Sequence, residues 1–212
     1  MRSRSVAIGV GCAIALQLSA AQGAFVEVSH NIPVTFNTDI ATLTARNQAD
    51  ITFLPGVAIS HYFGYQSAKL TLLGNNALAH ATLYDDARVI AERPALAHIH
   101  VFDRGQFTIT GGTSIASVEV SPSGTVTIFG RLDRISFGHV YAFGEDGTPL
   151  DFHLRVLSTD RPVVGTTYVD SFDALPSQIR FVSAVPEPTT AALILGALGV
   201  LGVLIRGRRA RL

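Results

Sequence analysis

Between residues 25 and 182 the chain alternates apolar and polar side chains with a period of two, and no stretch there carries a capped helical period. Such alternation turns one face of each segment inward and the other outward, the pattern of half-buried β-strands. In DFHLRV, Phe152, Leu154 and Val156 fall on one side, and Asp151, His153 and Arg155 on the other. Val126 and Ile128 likewise oppose Thr125 and Thr127, and Val118 and Val120 oppose Glu119. Turn chemistry separates the segments: Gly111-Gly112 reads as a two-residue hairpin loop, Ser121-Pro122-Ser123-Gly124 as a longer link, and Glu145-Asp146-Gly147 as a turn. Strand signals recur about every ten residues, with a last strand expected near residues 178–182. No repeat of fixed period stands out, which argues against a solenoid. The expectation is an all-β domain over residues 24–184, an antiparallel β-sandwich or jelly-roll-like fold.

The two ends differ from this body. Arg2 and Arg4 precede an uncharged apolar run over residues 6–18, and Ala21 and Gly23 supply small residues for cleavage between Gly23 and Ala24. These are the three parts of a secretory signal peptide, spanning residues 1–23. The only cysteine, Cys12, lies inside that run, so the mature chain has no thiol for a disulfide, a nucleophile or a Cys-rich zinc site. At the other end, residues 189–205 are uncharged and would form a transmembrane helix of about 25 Å, enough to span with flanking arginines snorkelling. Arg206, Arg208, Arg209 and Arg211 follow, and by the positive-inside rule they hold the tail in the cytoplasm with the body outside. Ahead of the span, Pro186 and Pro188 forbid helix and favour an extended strip at the membrane surface.

Pro186-Glu187-Pro188, a short apolar span and an Arg-rich end together resemble the PEP-CTERM sorting signal of Gram-negative bacteria, here over residues 185–212. The resemblance implies an exosortase partner, a membrane-embedded, cysteine transpeptidase-like enzyme that recognises Pro186, Glu187 and Pro188 and releases or transfers the body. It also implies an inner-membrane-anchored precursor, a mature form at the cell surface or outside the cell, and an envelope or biofilm setting rich in exopolysaccharide.

Charge excludes one class of partner. Outside the terminal arginines the chain holds ten basic and fifteen acidic groups, Glu187 apart, so the body is near −5 and no nucleic-acid ligand is expected. Among chemistry-bearing residues, His98 and His100 are two apart and share a strand face, where both imidazoles would reach one transition metal. The pair, with Asp103 after it, is similar to the His-X-His of cupins. It departs from them at Glu92 and Arg93, where a glycine is expected. His153 reads as a surface histidine, and His30, His61, His80 and His139 show no partner spacing. Asp85 and Asp86 read as a turn, and Asp103, Asp133 and Asp151 are candidate acids for a glycosidase. GEDG and DSFD offer oxygen ligands for calcium without matching a defined loop. Tyr62, Phe63 and Tyr65 are candidates for stacking on sugars. The body is expected to be non-enzymatic and without a cofactor, structural or adhesive, with a glycan-binding module or a cupin-like enzyme using His98 and His100 as alternatives.

Overall fold

The computed structural model describes residues 24–111, 114–163, 166–172 and 174–183. Among them there are sixteen strands and no helix. The first eight are β1 (Phe25–Val28), β2 (Val34–Phe36), β3 (Ile40–Ala45), β4 (Asp50–Phe53), β5 (Ala58–Gly64), β6 (Lys69–Leu72), β7 (Ala77–Leu83) and β8 (Arg88–Glu92). The others are β9 (Ala95–Val101), β10 (Gln106–Thr110), β11 (Ser117–Val120), β12 (Thr125–Ser136), β13 (His139–Gly144), β14 (Pro149–Leu157), β15 (Tyr168–Val169) and β16 (Ile179–Val182).

Odd-numbered strands β1 to β11, followed by β14, line up as sheet A, and even-numbered strands β2 to β12, followed by β16, as sheet B. Every pairing along these two runs is parallel. The chain therefore winds as a parallel β-solenoid of about five turns, which overturns the expected antiparallel sandwich or jelly roll. Asp50 pairs with Lys69, Lys69 with Arg88, Arg88 with Gln106 and Gln106 with Thr125, so successive turns take nineteen, nineteen, eighteen and nineteen residues.

Two physical facts account for the correction. A strand with one wet and one dry face alternates with period two whether its neighbours run parallel or antiparallel. The links are also as short as hairpin loops, but they change sheet instead of reversing within one: residues 46–49 lead from sheet A to sheet B, and residues 54–57 lead back. Gly111 likewise opens the link from β10 in sheet B to β11 in sheet A, so the glycine pair makes no hairpin, and Gly112 lies outside the described residues. Ser121-Pro122-Ser123-Gly124 joins β11 to β12 across the sheets. Of the three expected turns, only Glu145-Asp146-Gly147 connects an antiparallel pair, β13 and β14.

In-register winding sorts side chains into columns. Ile51, Leu70, Val89, Phe107 and Val126 form one buried column of sheet B, and Phe53, Leu72, Ala91, Ile109 and Ile128 the next. In sheet A the buried column Leu43, Tyr62, Ala81, Ile99 and Val118 sets the largest side chain beside the smallest, so total volume is kept. Tyr62 also leans over Gly64, where an added Cβ would sit 2.9 Å from its hydroxyl.

The C-terminal end is closed differently. At Gly130, β12 leaves sheet B with φ +156°, and a Cβ there would overlap the Phe143 carbonyl, so only glycine fits. The rest of β12 runs antiparallel to β13, and β13 to β14, which returns to lie parallel to β11. This hairpin covers the last turn, as the end of a solenoid requires. The expected final strand is present as β16, parallel to β12.

Two substitutions test the buried polar groups. Asn76 is fully buried at a corner, where its Oδ1 accepts from the Val57 amide at 2.8 Å and its Nδ2 donates to the Leu73 carbonyl at 3.0 Å. Asn76→Ala strands both groups and should lower unfolding free energy by about 2–3 kcal/mol in urea titration. The Tyr62 hydroxyl is buried without a hydrogen-bond partner, so Tyr62→Phe should raise stability by about 1 kcal/mol in the same assay.

Candidate functional site

Successive turns also align on the outer face of sheet A, and there they superpose three short segments: HYFGY in β5 and its turn, HATLY in β7 and HIHVF in β9. Alternation puts positions one, three and five of each segment on the outer side of the sheet, where Phe102 alone of the nine is buried. The result is a grid of His61, Phe63 and Tyr65 over His80, Thr82 and Tyr84 over His98, His100 and Phe102, in which eight of nine positions carry a ring. Column neighbours stack. His61 and His80 lie 4.9 Å apart at 6° between planes, and His80 and His98 lie 4.8 Å apart at 18°. Tyr65 and Tyr84 stack at 5.0 Å, and Phe102 follows at 5.4 Å. Across the turn, His61 is 6.5 Å from Phe63 and His100 is 6.1 Å from Phe102. The strand spacing of about 4.8 Å thus becomes the spacing of the rings.

Polar residues finish the columns. The His98 Nδ1 meets the Ser117 hydroxyl at 2.7 Å, and the His100 Nδ1 meets Glu119 Oε2 at 2.8 Å. The histidine column continues in register through Ser117 to His153 and His139, whose rings lie 5.2 Å apart, with His139 Nδ1 3.3 Å from Asp151. Arg46 covers the far end, its guanidinium 4.6 Å from the Tyr65 ring centre. Burial, and after it His98, His61 and His100, hold the His80 pKa below the 6.5 of a free imidazole. Burial and then Tyr65 push the Tyr84 hydroxyl above its ordinary range, which keeps it a neutral donor.

The corner beside the grid is held by carboxylates in structural roles. Asn47, Gln66, Asp85 and Asp103 all take left-handed backbone, with φ between 52° and 58°. Each of the last three accepts the amide of its counterpart one turn earlier: Gln66 from Asn47 at 2.6 Å, Asp85 from Gln66 at 3.0 Å and Asp103 from Asp85 at 3.0 Å. Arg161 reaches over this corner to Asp103 and Asp85, and Arg104 forks onto Asp86 at 2.9 and 2.8 Å.

Beyond the solenoid, a family model of the PEP-CTERM protein-sorting motif matches residues 184–209. The chain carries a PEP-CTERM sorting motif at its C-terminal end. It is exported, it passes through a membrane-anchored precursor, and its processing partner is an exosortase. No curated protein and no solved structure matches it.

The sorting residues Pro186, Glu187 and Pro188, the arginines 206, 208, 209 and 211, the 189–205 span and Gly23 lie outside the described residues. Ala24 is the first described residue, and its carbonyl accepts the Thr42 amide at 3.2 Å next to β1. His98 and His100 do share an outward face, as expected, but each binds a polar neighbour on β11. Among the described residues no three His, Cys, Asp or Glu converge on a point. Asp146 of GEDG accepts the Thr148 amide at 3.0 Å within its turn, and DSFD is described only in part. Tyr62 belongs to the core, which removes it from any sugar-binding surface, while Tyr65 is half-buried in the grid. His61 and His80, read from the sequence as lacking partner spacing, are the partners of His98. The signal was the interval of nineteen and eighteen residues between HYFGY, HATLY and HIHVF.

A pH dependence follows. Because the folded state resists protonation of His80, stability is complete above about pH 6.5 and declines as pH falls through that value toward the folded pKa. Thermal unfolding should therefore shift downward between about pH 7.5 and about pH 5.5, and His80→Gln should flatten part of that shift.

Proposed function

We propose that the mature protein is a non-enzymatic scaffold or adhesin of the cell surface or extracellular matrix, and that the ring grid is its contact with exopolysaccharide. In this reading a signal peptide is removed between Gly23 and Ala24, the exosortase acts near Pro186-Glu187-Pro188, and the solenoid alone is delivered. The single observation that carries the reading is the grid. Seven exposed or half-buried rings in straight rows along the coil, with Phe102 buried at the corner of the grid, match an elongated, repetitive ligand, because the successive units of an extended polymer meet the same side chains turn after turn. Its polar groups are paired along the rows, as with His98 and Ser117 or His100 and Glu119, which suits contact along a line more than chemistry at one centre.

Solenoid geometry also suits a spacer, since each turn touches only its neighbours and the body lengthens without a larger core. Sugar rings would be held through edge-on hydrogen bonds from imidazoles and tyrosines. Stacking on flat faces is unavailable to His80 and Tyr84, because a neighbouring ring lies on each side of both.

The mature protein, recovered from its host, should co-sediment with the host's own exopolysaccharide. Tyr65→Ala combined with Tyr84→Ala should weaken that association by about tenfold, the equivalent of about 1.4 kcal/mol. Unchanged binding in this variant would remove the grid from the contact. Mass spectrometry of the two mature ends checks the processing sites in parallel. Pro186→Ala with Glu187→Ala should leave the uncut, membrane-bound precursor.

A further inference from the structure

The way the rings stack decides which part of them meets solvent. His61, His80 and His98 lie face against face, so the outer surface of their column is made of ring edges. An aromatic edge carries the positive part of the ring's charge distribution. An imidazole edge adds an N–H donor, and protonation turns both nitrogens into donors and adds a full charge. With the His98 Nδ1 on Ser117, its Nε2 remains for a ligand.

The surroundings give this column a particular electrostatic behaviour. The outward groups on β5 are His61 and Phe63, with Tyr65 after them; on β7 they are His80 and Thr82, with Tyr84 after them. On β9 they are His98 and His100. The strands packed beside them bring Thr42 and Thr44 from β3, Ser117 and Glu119 from β11, His153, Arg155 and Asp151 from β14, and His139 from β13. Glu119 is committed to His100, and Asp151 to His139. No carboxylate in those rows is paired with His61, His80 or His98. The body is acidic overall, and imidazole is the side chain whose charge ordinarily changes between about pH 5 and about pH 8, so positive charge for an anionic chain comes to this face with protons. Protons bound to rings 4.8 and 4.9 Å apart repel one another until an anion lies across them.

We infer that the histidine column is a proton-gated site for an acidic polysaccharide, a linear polymer whose carboxylate, sulfate or phosphate groups lie along the imidazolium edges of His61, His80 and His98. The inference rests on the polymer-binding reading of the grid and adds ligand charge and a condition for binding. Proton uptake and ligand binding are then linked: each favours the other.

The test uses the processed protein with polygalacturonate as acidic probe and dextran as neutral probe, titrated calorimetrically at about pH 5.5 and about pH 7.5. Two buffers of different ionisation enthalpy report proton uptake. Polygalacturonate should bind about tenfold or more tightly at the lower pH, with protons taken up, while dextran shows no such gain. His80→Gln with His98→Gln should bring the acid-side affinity down to the neutral value. His98→Arg, which carries a permanent charge, should restore binding at the higher pH and shows that substitution at this face leaves a binding-competent fold. Equal affinity at both pH values, or a pH effect surviving in the double variant, overturns the gating while leaving the polymer reading intact. Equal acid-side gain for dextran overturns the preference for anions. A DNA oligonucleotide bound as tightly as polygalacturonate overturns the assignment to polysaccharide. If neither probe nor the host's own polymer binds at either pH, the polymer reading falls as well.

Discussion

The parallel, in-register hydrogen bonding between turns is the constraint on which the rest depends. Once residue 50 pairs with 69 and 69 with 88, every position must repeat its environment one strand spacing away. A column is then inward throughout or outward throughout. Inward columns tolerate exchange of size within themselves, as Tyr62 beside Ala81 does. Outward columns turn one residue type into a linear array, and three histidines become a continuous stack.

Much of this was legible at the level of faces and little at the level of pairing. The sides assigned to Phe152, Leu154, Val126, Ile128, Val118 and Val120 agree with their burial, except that Val156 is only half-buried. The turn at Glu145-Asp146-Gly147 and the strand after Gln178 also agree. Parallel winding was not legible, because alternation carries no strand direction. The turn length is hidden by drift: it is seventeen residues where β2 meets β4, then nineteen, and eighteen from β8 to β10. The columns keep residue class and lose residue identity, as in Ile51, Leu70, Val89, Phe107 and Val126, so direct self-comparison sees little.

The same drift concealed the histidine face. Reading along the chain pairs His98 with His100, two residues away, and that pair does share a face. Reading along the coil pairs His98 with His80 and His61, and only the turn length reveals it. The acidic residues were hidden in another manner. Asp85 reads as part of a turn, which it is, and Asp103 as a candidate acid, yet both accept the amide one turn earlier and an N–H of Arg161, so the corner they hold is architectural. The sorting motif needed no fold at all to be recognised, because its order of proline, glutamate, apolar run and arginines is a local signal.

The position of β16 has a mechanical consequence. This strand is the last described one before the sorting region, and it is clamped parallel to β12, with the Val126 amide donating to the Gln178 carbonyl at 2.8 Å just ahead of it. Any tug transmitted from the membrane through the tail arrives first at those backbone bonds, and the windings that bear the histidines stand behind them. The sorting region follows the closing end of the coil, so tension borne there can be spent on one strand while the ring grid keeps its shape.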